Sequence, residues 1–306
     1  MKVNDNVGTT IRMNRKILTI ILSLASTTLF AYSNENRVIL DWSTGIVRAQ
    51  TTYSAKYDDS GIPIDYATTD AGPARERNLA YERARTEAVE QISFALRGIE
   101  VEPGLFVKDL LESDPSFARK FGDLLADRIR SRETPRTYFA ARSDARFVLY
   151  DLIRALPYEY PENPFPRADK NPLATEYTSL IIDVRDEDVS PMIFPSVYDE
   201  DGLEIYGRQF VNIAAACKKG MVSYCFNEQE AKAHPKAGEH PYFATALRSN
   251  KHLPVIAHRD ARKILSHKKT VENLKQCHVI FIIRKVSGAG KTQAHERSLE
   301  NTQPAR

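Results

Sequence analysis

Four groups of residues in this 306-residue sequence have types and spacings that chemistry uses. Ser287-Gly288-Ala289-Gly290-Lys291-Thr292 has the look of a phosphate loop, in which glycine amides cradle phosphates ahead of a helix N-terminus. Lys285 stands where that loop needs its first glycine, and no helical pattern follows Thr292. His258-Arg259-Asp260 has the order of a kinase catalytic loop, but Leu265 occupies the place of the metal-holding Asn. Asp199, Asp201 and Gly202 match part of a calcium loop, with Val197 at the first ligand position and Arg208 at the bidentate glutamate position. Too few oxygens remain to hold the ion.

The fourth group is Cys217, Cys225 and Cys277 with His234, His240, His252, His258, His267 and His278. A transition metal wants such ligands in closely spaced pairs, and none of the standard spacings occurs. Cys277 and His278 are adjacent, and adjacent side chains on a strand point to opposite faces. One disulfide with one thiol left over is the ordinary outcome for an exported chain, with the pairing left open. The sequence therefore assigns no catalytic, cofactor-binding or metal residue, calls for no cofactor, and points away from an enzyme. A ligand- or metal-binding role for the Cys/His-rich C-terminal half is the alternative.

The elements that would position these groups fall into two units. Apolar content of 42% and charged content of 27% are those of a globular chain. Residues 1–31 read as a secretory signal peptide, with an uncleaved anchor as the alternative: Arg15 and Lys16 precede the apolar run Ile17–Leu24, too short to span a bilayer, and Ala31 precedes a polar segment. The mature chain then begins near Tyr32, and Met13 is an alternative start because residues 1–12 add nothing to the signal. No cysteine lies near the cleavage point, so no lipid anchor forms there. The formal charge of +3 comes from this leader, and the rest of the chain carries acids and bases in equal number. A neutral body gives no electrostatic case for nucleic acid or anionic lipid.

Residues 33–157 predict an N-terminal α+β domain. Arg37–Trp42 and Ile46–Tyr53 read as strands, with Trp42 as core or interface filler. Pro73–Arg97 predicts a long helix whose stripe of Tyr81, Ala84, Ala88, Ile92, Ala95 and Leu96 packs flat on the strands. Gly98 suits a left-handed residue past its end, and Arg83 and Glu87 suit an i,i+4 pair. Asp114-Pro115 predicts an N-cap and N1 pair opening a helix with Phe117, Phe121, Leu124, Leu125 and Ile129 inward. Arg136–Ala140 and Ala145–Ile153 read as further strands.

The prolines of 158–174 predict a stiff extended linker. Residues 175–286 predict a second α+β domain. Its strands are Leu180–Val184, Met221–Phe226, Tyr242–Leu247, Val255–Ile256 and a central Val279–Ile283. An Asp-Gly hairpin lies at Asp199–Gly202, and a helix at Asp260–His267. Residues 287–306 read as a disordered tail. Each domain is thus a small mixed or antiparallel sheet covered by helices.

Asp41-Trp42, the alanine-striped helix, the closing strand and the run Pro191, Pro195, Val197, Tyr198, Asp199, Asp201, Gly202, Glu204, Tyr206 and Gly207 together carry a resemblance. Gly220, Ala257, Asp260, Ala261 and Ile264 stand behind them. The sequence resembles a family of exported bacterial outer-membrane lipoproteins that takes in flagellar accessory proteins of the FlgP and FlgT kind. The resemblance implies a non-enzymatic structural role in the periplasm or at the outer membrane, around the flagellar basal body. It implies self-association or an envelope complex as partner. This chain departs from the family in lacking the lipidated cysteine.

Overall fold

The computed structural model describes residues 36–55, 73–137, 140–166 and 175–284. The leader, the tail, the Ser287–Thr292 loop and the second half of the proline run lie outside the described residues. No helix among the described residues is long and apolar enough to cross a membrane.

The first unit is a four-stranded antiparallel sheet in the order β1-β2-β6-β5, formed by Arg37–Asp41 (β1), Ile46–Ser54 (β2), Arg130–Thr137 (β5) and Ala140–Val148 (β6). Helix α1, Pro73–Arg97, lies across one face. Its buried stripe is Ala80, Ala84, Ala88, Ile92 and Leu96. The small residues let the backbones approach closely enough for the buried Thr51 hydroxyl to donate to the Ala84 carbonyl at 2.7 Å. Glu87 is held by Asn36 at 2.5 Å, so the expected pair with Arg83 gives way to a contact with the start of β1. Gly98 is not left-handed; the helix closes through tighter bonds from Gly98 and Ile99 amides to Ala95 and Leu96 carbonyls.

Glu100–Glu102 (β3) and Leu105–Phe106 (β4) form a short hairpin leading into α2, Val107–Ser113. Asp114 caps α3, Pro115–Arg128, by accepting from the Ser116 and Phe117 amides, and buries Phe117, Phe121 and Leu125 beneath it. The strand expected over Ala145–Ile153 is instead the end of β6 followed by a 3₁₀ turn, Leu149–Arg154. Its alternating apolar residues fit a turn that is buried almost all round: Leu149, Tyr150, Leu152 and Ile153 all lie in the core.

The second unit is a seven-stranded mixed sheet in the order β10-β13-β7-β11-β12-β8-β9. Its strands are Ser179–Asp183 (β7), Val197–Asp199 (β8), Glu204–Tyr206 (β9), Val222–Cys225 (β10), Pro241–Asn250 (β11), Leu253–Ile256 (β12) and Val279–Ile282 (β13). Four neighbours, β10, β13, β7 and β11, run parallel. Helices α4 (Ile213–Lys219), α5 (Glu228–Ala233), α6 (His258–Leu265) and α7 (Lys268–Lys275) connect and cover them. All four residues of β13 are buried, as a strand covered on both faces requires.

The chain is therefore α+β with two sheet-containing parts, the first antiparallel and the second mixed. One apolar core nevertheless runs through both, from Val47 to Ile283. The Tyr150 ring sits against Gly45 and Gly220, and Trp42 meets Tyr224 edge-on at 5.4 Å. A Cβ on Gly220 would lie 2.2 Å from that ring. The described half of the proline run has neither helix nor strand, as its composition dictates, but it is not a free spacer. Phe165 is buried against Phe210, and Tyr158 and Tyr160 pack on Phe194. Arg208 ties it down, lying 4.4 Å over the Tyr158 ring, donating to the Glu159 carbonyl and pairing with Glu102 at 3.2 Å.

Candidate functional site

Two patterns that fail separately in the sequence meet in the fold. Strand β8 ends at Asp199 and β12 runs parallel beside it, so the residues just past both carboxyl ends become neighbours. Past β8 the chain turns through Gly202, whose φ of +81° suits the tight return, and Asp199 organises that turn. Its Oδ1 accepts from the Asp201 amide at 3.1 Å and the Leu203 amide at 2.8 Å, leaving Oδ2 for His258. Past β12, Ala257 precedes α6 and offers no capping side chain. Glu200 supplies the cap from across the gap, accepting from the His258 amide at 2.8 Å.

The result places His258 Nδ1 3.0 Å from Asp199 Oδ2 and 3.0 Å from Asp201 Oδ2. Asp199 is buried, Asp201 exposed and His258 between the two. One imidazole nitrogen carries at most one proton, so it cannot donate fully to both carboxylates. An Nδ1–H serves one of the two acids; a bare Nδ1 lone pair would instead complete a set of three lone-pair donors. These three atoms lie within 4.8 Å of one another, the reach of a single cation. Oxygen and imidazole ligands held about 2.1 Å from an octahedral ion stand about 3 Å apart at adjacent positions, which is the spacing here. No hydroxyl or thiol is hydrogen-bonded to His258 among the described residues.

Asp260 takes no part in this cluster. It lies in the first turn of α6, where a negative charge suits the helix dipole, and accepts from the Tyr242 hydroxyl at 2.8 Å. Arg208, at the glutamate position of the failed calcium pattern, is the clamp on the proline segment. The cysteines and other histidines do not gather into ligand sets among the described residues. Cys217, Cys225 and Cys277 are all buried as free thiols, so the expected disulfide does not form. They sit on α4, on β10 and ahead of β13, each filling its own part of the core. Burial pushes the Cys225 thiol up to about 11 and raises that of Cys277.

A second polar feature escaped sequence reading. Lys236 is 3% exposed, and its Nζ donates to the Gly220 carbonyl at 3.0 Å, with the Met221 carbonyl at 3.4 Å. Burial, reinforced by Lys219, lowers its pKa to about 7 despite the neighbouring thiols. It lines a cleft of about 440 Å³ between the units, with Ser43 and Thr44 on one side and Lys219 and His278 on the other. The signal that could have found it is faint: a lone Lys between Pro235 and Ala237.

A family model built on the second domain of Treponema pallidum Tp0624 matches residues 179–285. The matched stretch opens on the first residue of β7 and closes just past β13, so it takes in the whole seven-stranded sheet and leaves the arginine-rich first sheet outside. No curated protein matches this chain. What the comparisons establish is that the second unit is similar to that domain.

Proposed function

We propose that the chain is a non-enzymatic structural or assembly protein of the bacterial envelope, exported to the periplasm and associated with an outer-membrane or flagellar basal-body complex. The observation that carries this reading is how the residues of the hairpin run spend their polar groups. Asp199 organises the turn, Ser196 and Gln209 hold Glu204, and the buried Tyr206 hydroxyl donates to the Met221 carbonyl at 2.8 Å. These residues shape a surface and leave little for turnover. Export rests on the leader pattern of residues 1–31. The test is fractionation of the native host together with deletion and complementation. The protein should reach the envelope fraction with its first residue near Tyr32, and its loss should give an envelope or motility defect. Lys291→Ala should restore the phenotype, and Gly202→Val should not. A cytoplasmic protein, or a Lys291→Ala variant that folds and fails to complement, would overturn the reading.

The convergence of Asp199, Asp201 and His258 favours a second reading, in which the second unit binds a divalent cation. Calorimetric titration with manganese or zinc would decide it. Binding that His258→Ala abolishes supports the cation; heats equal in the two proteins remove it.

A further inference from the structure

The open face of the first sheet carries a charge arrangement that the neutral total conceals. Alternation along β2, β5 and β6 sends Val47, Ala49, Ala145 and Phe147 toward α1 and their neighbours the other way. The register then stacks Arg48 opposite Arg146, and Arg146 opposite Arg130. One row further, Arg37 faces Gln50, Gln50 faces Asp144, and Asp144 faces Arg132, with Arg142 in the row beyond. Six arginines thus share one face with two acids: Asp144, which Arg142 already holds at 3.0 Å, and Asp41 at the end of β1, which accepts from the Ser43 and Thr44 hydroxyls. Arg37, Arg48, Arg132 and Arg146 have no carboxylate partner among the described residues. Like charges directly opposite on a sheet oppose folding, so the fold carries this array against its own stability.

We propose that this face docks on an anionic phospholipid surface. Guanidinium groups match phosphate oxygens bidentately, and the long side chains stand around an open depression of about 630 Å³ that headgroups can enter. The array extends in two dimensions, across four strands and along three rows. A bilayer presents its phosphates in that way, whereas a linear polymer presents a single track. No aromatic side chain lies among the arginines in the described residues, and single-stranded nucleic acid is held by stacking on aromatics. At the margin of the same face, Ile39 and Val148 are 47% and 43% exposed, apolar groups suited to the headgroup boundary. Contact of this kind is peripheral and reversible, and needs no lipid anchor.

The test is co-sedimentation of the purified chain with vesicles of phosphatidylcholine alone or mixed with phosphatidylglycerol. Wild type should bind the anionic vesicles, more weakly as salt rises. Each basic residue at an anionic surface multiplies partitioning roughly fivefold, so Arg48→Thr with Arg146→Thr should lower binding at least about tenfold. Arg132→Thr alone should lower it severalfold. Arg83→Thr, on the exposed side of α1, should leave it unchanged and so separates this face from general charge. The proposal fails if the double variant binds as wild type, or if anionic vesicles are not bound at all. It also fails if all the binding is to neutral vesicles, which would point to apolar insertion alone. Tighter binding of single-stranded DNA or polyglutamate, lost in the double variant, would give the face to a polymer and overturn the lipid assignment.

Discussion

The two sheets solve the problem of burial differently. In the second, β10, β13 and β7 are covered on both sides and almost wholly buried, with no polar face to spare, and only β11 beyond them leaves alternate residues exposed. The first has α1 on one side and nothing on the other among the described residues, so every second residue of β2 and β6 meets solvent. In the second sheet, charged side chains gather at the strand ends, where His258 and Asp199 meet. In the first, a whole face is available, and arginine fills it. A sheet buried on both sides trades interaction surface for stability; a sheet covered on one side does the reverse.

That contrast predicts where substitutions hurt. Phe281→Ala, at the centre of β13, should cost about 3–5 kcal/mol in urea unfolding because it leaves a void in close-packed surroundings. A loss below about 1 kcal/mol would mean that the second sheet is loosely packed and the contrast false. Gly220→Ala tests the seam between the sheets. Gly220 has φ 72° and ψ 157°, a region that side chains essentially never enter, and an added Cβ strikes the Tyr150 ring. The expected cost is about 2–3 kcal/mol. Tyr150→Ala in the same background should relieve the clash but not the backbone strain, so the two effects should be less than additive.

The parts legible in the sequence are those where local pattern and tertiary demand agree. The alanine stripe of α1, the Asp114-Pro115 start of α3 and the apolar runs of β7 and β13 each state their own environment. The Asp199–Gly202 hairpin does so as well. Other parts were decided by partners distant in the chain. The β11–β12 hairpin turns on Lys251 and His252, both at positive φ, without the glycine or asparagine that would announce it. Helices α4, α5 and α7 have eight residues or fewer, too short for a periodic stripe to stand out. His258 and Asp199 are 59 residues apart, and only the parallel pairing of β8 with β12 joins them. The arginine face is the clearest case. A sum over the chain reports neutrality, and only strand register reveals that the charges are sorted.

Lys236 sharpens the comparison through pH. Its amine titrates near 7 in the folded protein and about 10.4 in an unfolded chain. Between those values the unfolded state binds a proton that the folded state does not, so stability rises with pH across that window. Below about pH 7 both states are protonated and the full cost of burying the charge is present. Above about pH 8 the three buried thiols begin to act in the opposite sense, since their raised pKa favours the unfolded chain there. The clean interval is therefore pH 7 to 8, over which stability should rise by about 1 kcal/mol. In Lys236→Met the slope should vanish. A slope that persisted in that variant would place the titrating group elsewhere.

The smallest effect bears most directly on the contrast. If the open face were part of what holds the first sheet together, removing its charges would weaken the fold. The register argues otherwise. Arg48 and Arg146 face each other, Arg130 faces Arg146, and the carboxylate of the next row, Asp144, is paired with Arg142. Threonine suits an exposed strand position at least as well as arginine, and each substitution removes a like-charge contact worth a few tenths of a kcal/mol. Arg48→Thr with Arg146→Thr should therefore raise stability by about 0.3–1 kcal/mol at low salt. Because the term is electrostatic and exposed, the gain should shrink toward zero near 1 M salt, where the screening length is about 3 Å. Urea unfolding at both salt concentrations reads it directly. A double variant less stable than wild type at low salt would show that the arginines pack or pair in support of the sheet. The open face would then belong, with the second sheet, to the structure's own scaffolding and not to a surface kept for a partner.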